Sequence, residues 1–114
     1  MKLSRIKELV QGEFLWDCSG SDVEIVYCIG SDMMSDVLAH PMPGALLITG
    51  LTNSQSVRTA KIADSAAILY VRGKRPDQQT IELAEEFSMP LIGTKMGMFE
   101  TCGILYAAGL EGVC

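Results

Sequence analysis

Apolar residues in this chain come in short consecutive runs rather than in strict alternation. Four of them, "EIVYCIG", "ALLITG", "AAILYVRG" and "PLIG", each end on a glycine, pass through polar residues able to cap a helix, and continue with helical spacing. Gly30, Gly50, Gly73 and Gly93 recur at intervals of about twenty residues, the length of a compact βα unit. The pattern predicts strands over 24–29, 45–49, 66–71 and 90–93 and helices over 32–39, 54–63, 77–88 and 97–108. Strands that are apolar throughout belong in a parallel sheet covered by helices on both faces. Met34, Val37 and Leu38 form one apolar helix face, and Leu83, Ala84 and Phe87 with Thr80 form another.

Ahead of these units, Leu3, Ile6, Leu9 and Val10 mark a short amphipathic helix closed by Gly12. "EFLWD" reads as an extra strand and "SGSD" as the turn after it. His40 precedes Pro41 and is biased away from helix, so "HPMPG" stops the 32–39 helix. Pro76 and Asp77 suit the first turn of the 77–88 helix, and Asn53 or Ser54 is a natural N-cap. The fold expected is α/β: a single domain over residues 1–114, with a mainly parallel sheet of four to five strands, flanked by helices and built from successive βα units. Right-handed crossovers place all four βα turns along the carboxyl edge of the sheet, where open α/β sheets bind ligands.

Composition narrows the function. The 114 residues are 48% hydrophobic and 20% charged, as in a globular chain, and 9 basic against 14 acidic side chains give a net charge of −5. Such a balance repels a phosphate backbone, so nucleic acid is not the expected partner. No apolar run approaches the ~20 residues of a membrane span, and the N-terminal stretch lacks a signal peptide's apolar core. A cytoplasmic location is therefore expected. Cys18, Cys28, Cys102 and Cys114 are scattered without a C-x-x-C pair, so neither a metal site nor a disulfide framework is expected, only free thiols. No cofactor is indicated.

Motifs for common chemistries are missing. "GKRPD" lacks the first glycine and the hydroxyl of a P-loop, and "GTKMGMFETCG" spaces its glycines wrongly for a dinucleotide fingerprint. His40 is the sole histidine and sits in a proline turn, with no serine in a nucleophile elbow. Asp32 and Asp36, four apart, could share a helix face and attract a divalent ion, but such residues are more often a helix cap and a solvated side chain. The stretches that stand out are "ITGLTNSQSVR" and "YVRGKRPD". Arg72, Lys74 and Arg75 follow one strand and Lys95 the next, in an otherwise acidic chain. Cations sharing an edge with helix N-termini favour an anion. The candidate ligand-binding residues are Gly30, Ser31, Gly50, Thr52, Asn53, Ser54, Arg72, Lys74 and Lys95. Among them, Thr52, Asn53 and Ser54 are expected to offer polar donors, and Arg72 and Lys95 to supply charge.

The succession of the N-terminal helix, "DVLAHPMPGALLITG", "TAKIADSAAILYVRGKRPDQQTIELAEE" and "MPLIGTKMGMFETCGIL" resembles the DRTGG domain family over about residues 3–110. These domains are similar to the N-terminal domain of HPr kinase/phosphorylase and also occur in some bacterial phosphotransacetylases and beside CBS modules. The residues that name the family differ here. Leu51-Thr52-Asn53 stands after Gly50 in place of Asp-Arg, and "YVRGKRPD" keeps only Gly73 of Thr-Gly-Gly. The resemblance implies a bacterial regulatory or ligand-sensing α/β module without assigned chemistry.

Together these readings describe a stand-alone, non-catalytic sensor of a small anionic metabolite or nucleotide. The alternatives are an enzyme of unfamiliar type, with Lys95 or Asp32 as acid or base, and a pure interaction module. The 97–108 helix, "GMFETCGILYAAG", is apolar on nearly every side; Met96, Met98, Phe99 and Tyr106 suit a homodimer or protein-partner interface.

Overall fold

In the computed structural model, which describes residues 1–17 and 22–113, the four apolar runs are the four central strands of one sheet. The elements are α1 (Leu3–Leu9), β1 (Glu13–Trp16), β2 (Tyr27–Gly30), α2 (Met34–Ala39), β3 (Leu46–Thr49), α3 (Ser54–Ile62), β4 (Ala67–Tyr70), α4 (Gln78–Glu86), β5 (Leu91–Gly93), α5 (Met98–Ala107) and β6 (Glu111–Gly112). The strand order is β1-β5-β4-β3-β2-β6, with β1 antiparallel to β5 and every other pair parallel. The sheet thus has six strands rather than four to five; "EFLWD" supplies β1, and the two residues of β6 were not expected. The expected turn at 19–22 falls, except for Asp22, outside the described residues, as do Cys18 and Cys114.

Consecutive apolar residues in a strand point to opposite faces, and here both faces are covered. Leu46, Ile48, Leu69, Val71 and Ile92 pack under α1 and α5 with Leu3, Ile6, Val10 and Leu105. Leu47, Ile68, Tyr70 and Leu91 pack against α2, α3 and α4 through Met34, Val37, Val57, Ala60 and Ala84. Fully burying one such aliphatic side chain is worth about 1.5–3 kcal/mol. That is what keeps strands of three or four residues in register.

The helix ends follow from their local chemistry. The Asn53 side chain accepts the Gln55 N–H at 3.1 Å and caps α3, and Asp77 accepts the Thr80 N–H at 2.8 Å and caps α4. Asp77 is thus the cap itself, not part of the first turn. His40 ends α2, its Nδ1 lying 3.0 Å from the Asp36 carbonyl. The left-handed residue that ends α1 is Gln11 (φ 52°) and not Gly12, whose N–H instead reaches back to the Lys7 carbonyl. β2 begins at Tyr27, later than its apolar run. Before it, Glu24 bridges Lys2 and the Ile25 N–H donates to the Met1 carbonyl.

Candidate functional site

All five parallel strands run the same way, so the turns after β2, β3, β4 and β5 gather on one edge, and the candidate residues lie along it. They are not gathered at one point. Two clefts open on this edge, and Arg72 lines neither of them.

The first cleft, of about 560 Å³, lies beyond β4 and β5. Lys74, Arg75 and Lys95 line it, together with Gly73, Thr94 and the Gln11–Glu13 stretch. Arg75 is engaged by the Glu13 carboxylate. Among the described residues, Lys74 and Lys95 form no ion pair. The loop carrying Lys95 is anchored by Thr94, 4% exposed, whose hydroxyl donates to the Val10 carbonyl at 2.7 Å and accepts the Met96 N–H. The loop carrying Lys74 is a tight turn in which the Lys74 N–H returns to the Val71 carbonyl. Arg72 (φ 62°) and Gly73 (φ 68°) occupy its two central positions, both left-handed. That conformation suits glycine and strains arginine. It is held because the Arg72 N–H donates to Met96 and the Gly73 N–H to Thr94, at 2.7 and 2.8 Å.

The second cleft lies beyond β2 and β3, about 630 Å³, between Ser31–Ser35 and the Leu51 and Gln55 side chains. Asp32, on its wall, is held in a polar knot. One Asp32 carboxylate oxygen accepts the Gly50 N–H at 2.6 Å and the Thr49 hydroxyl at 3.1 Å. The other accepts from the Arg72 guanidinium at 3.1 Å. The guanidinium lies against Gly50 so closely that an added Cβ there would fall 1.9 Å from Nη2. Any larger residue at this position would have to displace the guanidinium. The Gly50 N–H, then the Arg72 and Thr49 donors, hold the Asp32 carboxyl below the usual carboxylate range against the opposing effect of burial.

The remaining candidates take structural places. Asn53 caps α3, the Ser54 hydroxyl lies 3.2 Å from that of Thr80 on α4, and Thr52 is half-buried beside them. The Ser31 hydroxyl accepts the Met33 N–H in a local turn. Gly30 turns toward α5, where a Cβ would meet the Cys102 sulfur at 2.9 Å. Sequence reasoning missed Tyr70 and the partners of Asp32. Asp32 reads from the sequence as a helix cap or, in the enzymatic alternative, an acid or base, whereas Met33 takes the N-cap position of α2 and Asp32 reaches across β3. Tyr70, fully buried, has its hydroxyl 2.8 Å from that of Ser56. Ser56 spends its own proton on the Asn53 carbonyl, so Tyr70 donates, and burial pushes the Tyr70 phenol up to about 12. This chain fixes the turn between β3 and α3 from beneath.

On the opposite face of the sheet, an apolar cleft of about 360 Å³ runs between α5 and β2–β6, bounded by Phe99, Cys102, Gly103, Tyr106 and Leu110. Phe99 is 93% and Tyr106 76% exposed, so α5 is far from enclosed. Cys28 and Cys102 line the same cleft as free thiols; burial, reinforced by Cys102, pushes Cys28 up to about 12 and burial also raises Cys102, which makes both poor nucleophiles. Among the described residues no three His, Cys, Asp or Glu side chains cluster as a metal site, and no helix is long and apolar enough to cross a membrane.

The architecture is that of an open α/β fold, with parallel strands delivering their turns to one edge. The chain belongs to the DRTGG domain family, whose model matches residues 5–108. Comparison with curated proteins gives no match. Among solved structures, it is similar to the CBS and DRTGG domains of the regulatory region of Clostridium perfringens pyrophosphatase, complexed with its activator diadenosine tetraphosphate. The TM-score is 0.67 at 15% identity, over 90% of this chain and 45% of that one, so the chain spans less than half of that regulatory region. At this identity the likeness speaks for the fold.

Proposed function

We propose that this DRTGG domain is a non-catalytic regulatory module of the cytoplasm that senses a small anionic metabolite or nucleotide at the carboxyl edge of its sheet. One observation carries the reading: Lys74 and Lys95 share a cleft in an acidic protein, and among the described residues neither is neutralised by a carboxylate. Two ammonium groups in one cleft supply the charge-assisted donors that an anion needs. The regulatory region similar to this domain is complexed with a tetraphosphate-bridged activator, which supports a phosphorylated ligand. The enzymatic alternative loses ground because Asp32, held ionised by three donors, is poorly matched to general acid–base work near neutrality.

A thermal-shift series with nucleoside polyphosphates, sugar phosphates and dicarboxylates tests this, since a ligand selective for the native state raises its melting temperature. At least one anion should raise it, and Lys74→Ala with Lys95→Ala should cancel the rise. A full rise in the double variant would overturn the reading.

A second feature supports self-association. Phe99 and Tyr106 project from α5 on either side of Gly103, next to the apolar cleft that a like side chain of another copy could fill. We infer a homodimer through α5. Light scattering at micromolar protein should give twice the chain mass, and Phe99→Glu with Tyr106→Glu should halve it.

A further inference from the structure

The donors that converge on Asp32 make up an oxyanion seat in their own right. They come from three places: the main-chain N–H of Gly50 at the end of β3, the hydroxyl of Thr49, which is fully buried, and the guanidinium of Arg72 from the turn after β4. A backbone N–H, a fixed hydroxyl and an arginine fork are what a bound carboxylate or phosphoryl group requires. The main chain that carries each donor is held independently of Asp32. Thr49 is fixed by the pairing of β3, with Gly50 directly after it, and the Arg72 backbone by its strained left-handed turn and by the Arg72 and Gly73 N–H bonds to the β5 loop. The occupant comes from an exposed stretch of chain. Asp32 sits in the loop before the six-residue α2, its side chain is 50% exposed, and an open cleft of about 630 Å³ adjoins it.

We propose that Asp32 is an internal plug, a built-in carboxylate occupying a second oxyanion seat that admits the carboxylate or phosphoryl group of a small metabolite when the Asp32 loop swings out. This seat is distinct from the Lys74–Lys95 cleft and stands or falls separately from it. Because the plug is tethered, it competes at high effective concentration and sets a threshold that an external anion must exceed. Displacing it frees the loop that leads into α2, so occupancy is transmitted to that helix.

Asp32→Ala should therefore create anion affinity rather than remove it. Inorganic phosphate and acetate are titrated into wild type and Asp32→Ala, followed by the amide resonance of Gly50, which reports the seat and not general charge. Asp32→Ala should bind one of the two at least roughly tenfold more tightly than wild type, with the Gly50 amide shifting on saturation. The stronger anion identifies the ligand class. Asp32→Asn, which keeps the loop's hydrogen bonding and weakens only the charge, should show a smaller gain. Adding Arg72→Gln to Asp32→Ala should erase the gain, while Lys74→Ala with Lys95→Ala should leave it intact. No gain for either anion in a folded Asp32→Ala or Asp32→Asn protein, or a gain that survives Arg72→Gln, overturns the proposal.

Discussion

The two halves of the carboxyl edge carry the same kind of charge and treat it in opposite ways. Beyond β2 and β3, Arg72 is folded over Gly50 and neutralised by Asp32. Beyond β4 and β5, Lys74 and Lys95 stand in a cleft with only Arg75 committed to a carboxylate, that of Glu13. What separates them is the backbone. At the first end, a close approach to glycine draws the guanidinium down to a carboxylate that main-chain and hydroxyl donors also hold. At the second, Thr94 pins the loop to the end of α1 and leaves its neighbour Lys95 facing solvent. Availability of a cation for a ligand is thus decided by what its loop is tied to.

The largest effect that could break this contrast lies at the open end. If Lys74 and Lys95 are the available cations, Lys74→Ala with Lys95→Ala should weaken the affinity of the best stabilising anion by about two orders of magnitude or more, at about 1.5–3 kcal/mol per lost charge-assisted bond. Calorimetric titration measures it, and an equal loss from Arg72→Gln alone would erase the distinction between the ends. A smaller effect sharpens it from beneath. Tyr70→Phe removes the hydroxyl that supports Ser56 and should cost about 1–2 kcal/mol of stability in urea unfolding, while leaving anion affinity at the lysine cleft unchanged.

Acid provides the next test. The Gly50 N–H chiefly holds the Asp32 carboxyl below its ordinary range, so its stabilising contribution is complete above that range and drains away as pH falls through the depressed value. Melting temperature followed on the acid side should fall less steeply in Asp32→Asn than in wild type. The smallest effect is that of Gly50→Ala, whose methyl must push Arg72 off Asp32. Because that ion pair is half-exposed, about 0.2–1 kcal/mol is at stake. A larger loss would mean that β3 itself had shifted.

How much of this was legible in the sequence varies by residue. The runs "ALLIT" and "AAILY" announced buried parallel strands because a strand apolar on both faces has no other stable setting. Asn53 and Asp77 announced helix starts because capping is local. β6 was hidden: Glu111-Gly112 has no strand character, and it is a strand only because β2 offers an edge. The division of the candidate residues was also hidden. Arg72 and Asp32 lie on turns separated by β3, and only the packing of one side chain across Gly50 brings them into contact. Sequence spacing placed Arg72, Lys74 and Lys95 on one edge correctly and was silent on which way each side chain turns.

The path of the chain from β5 back to β6 has a kinetic consequence. From β2 to β5 each strand pairs with the next in sequence, so each closure spans one short βα unit and costs little loop entropy. β6 pairs Tyr27 with Glu111, about three-quarters of the chain length apart, and can dock only once the parallel block offers it an edge. We therefore expect the Glu111 and Val113 amides, bonded to Val26 and Cys28, to exchange with solvent well before those of Leu47 and Leu69. The seam that closes last in folding is then the first to breathe, and it borders the same apolar cleft where Phe99 and Tyr106 stand in solvent.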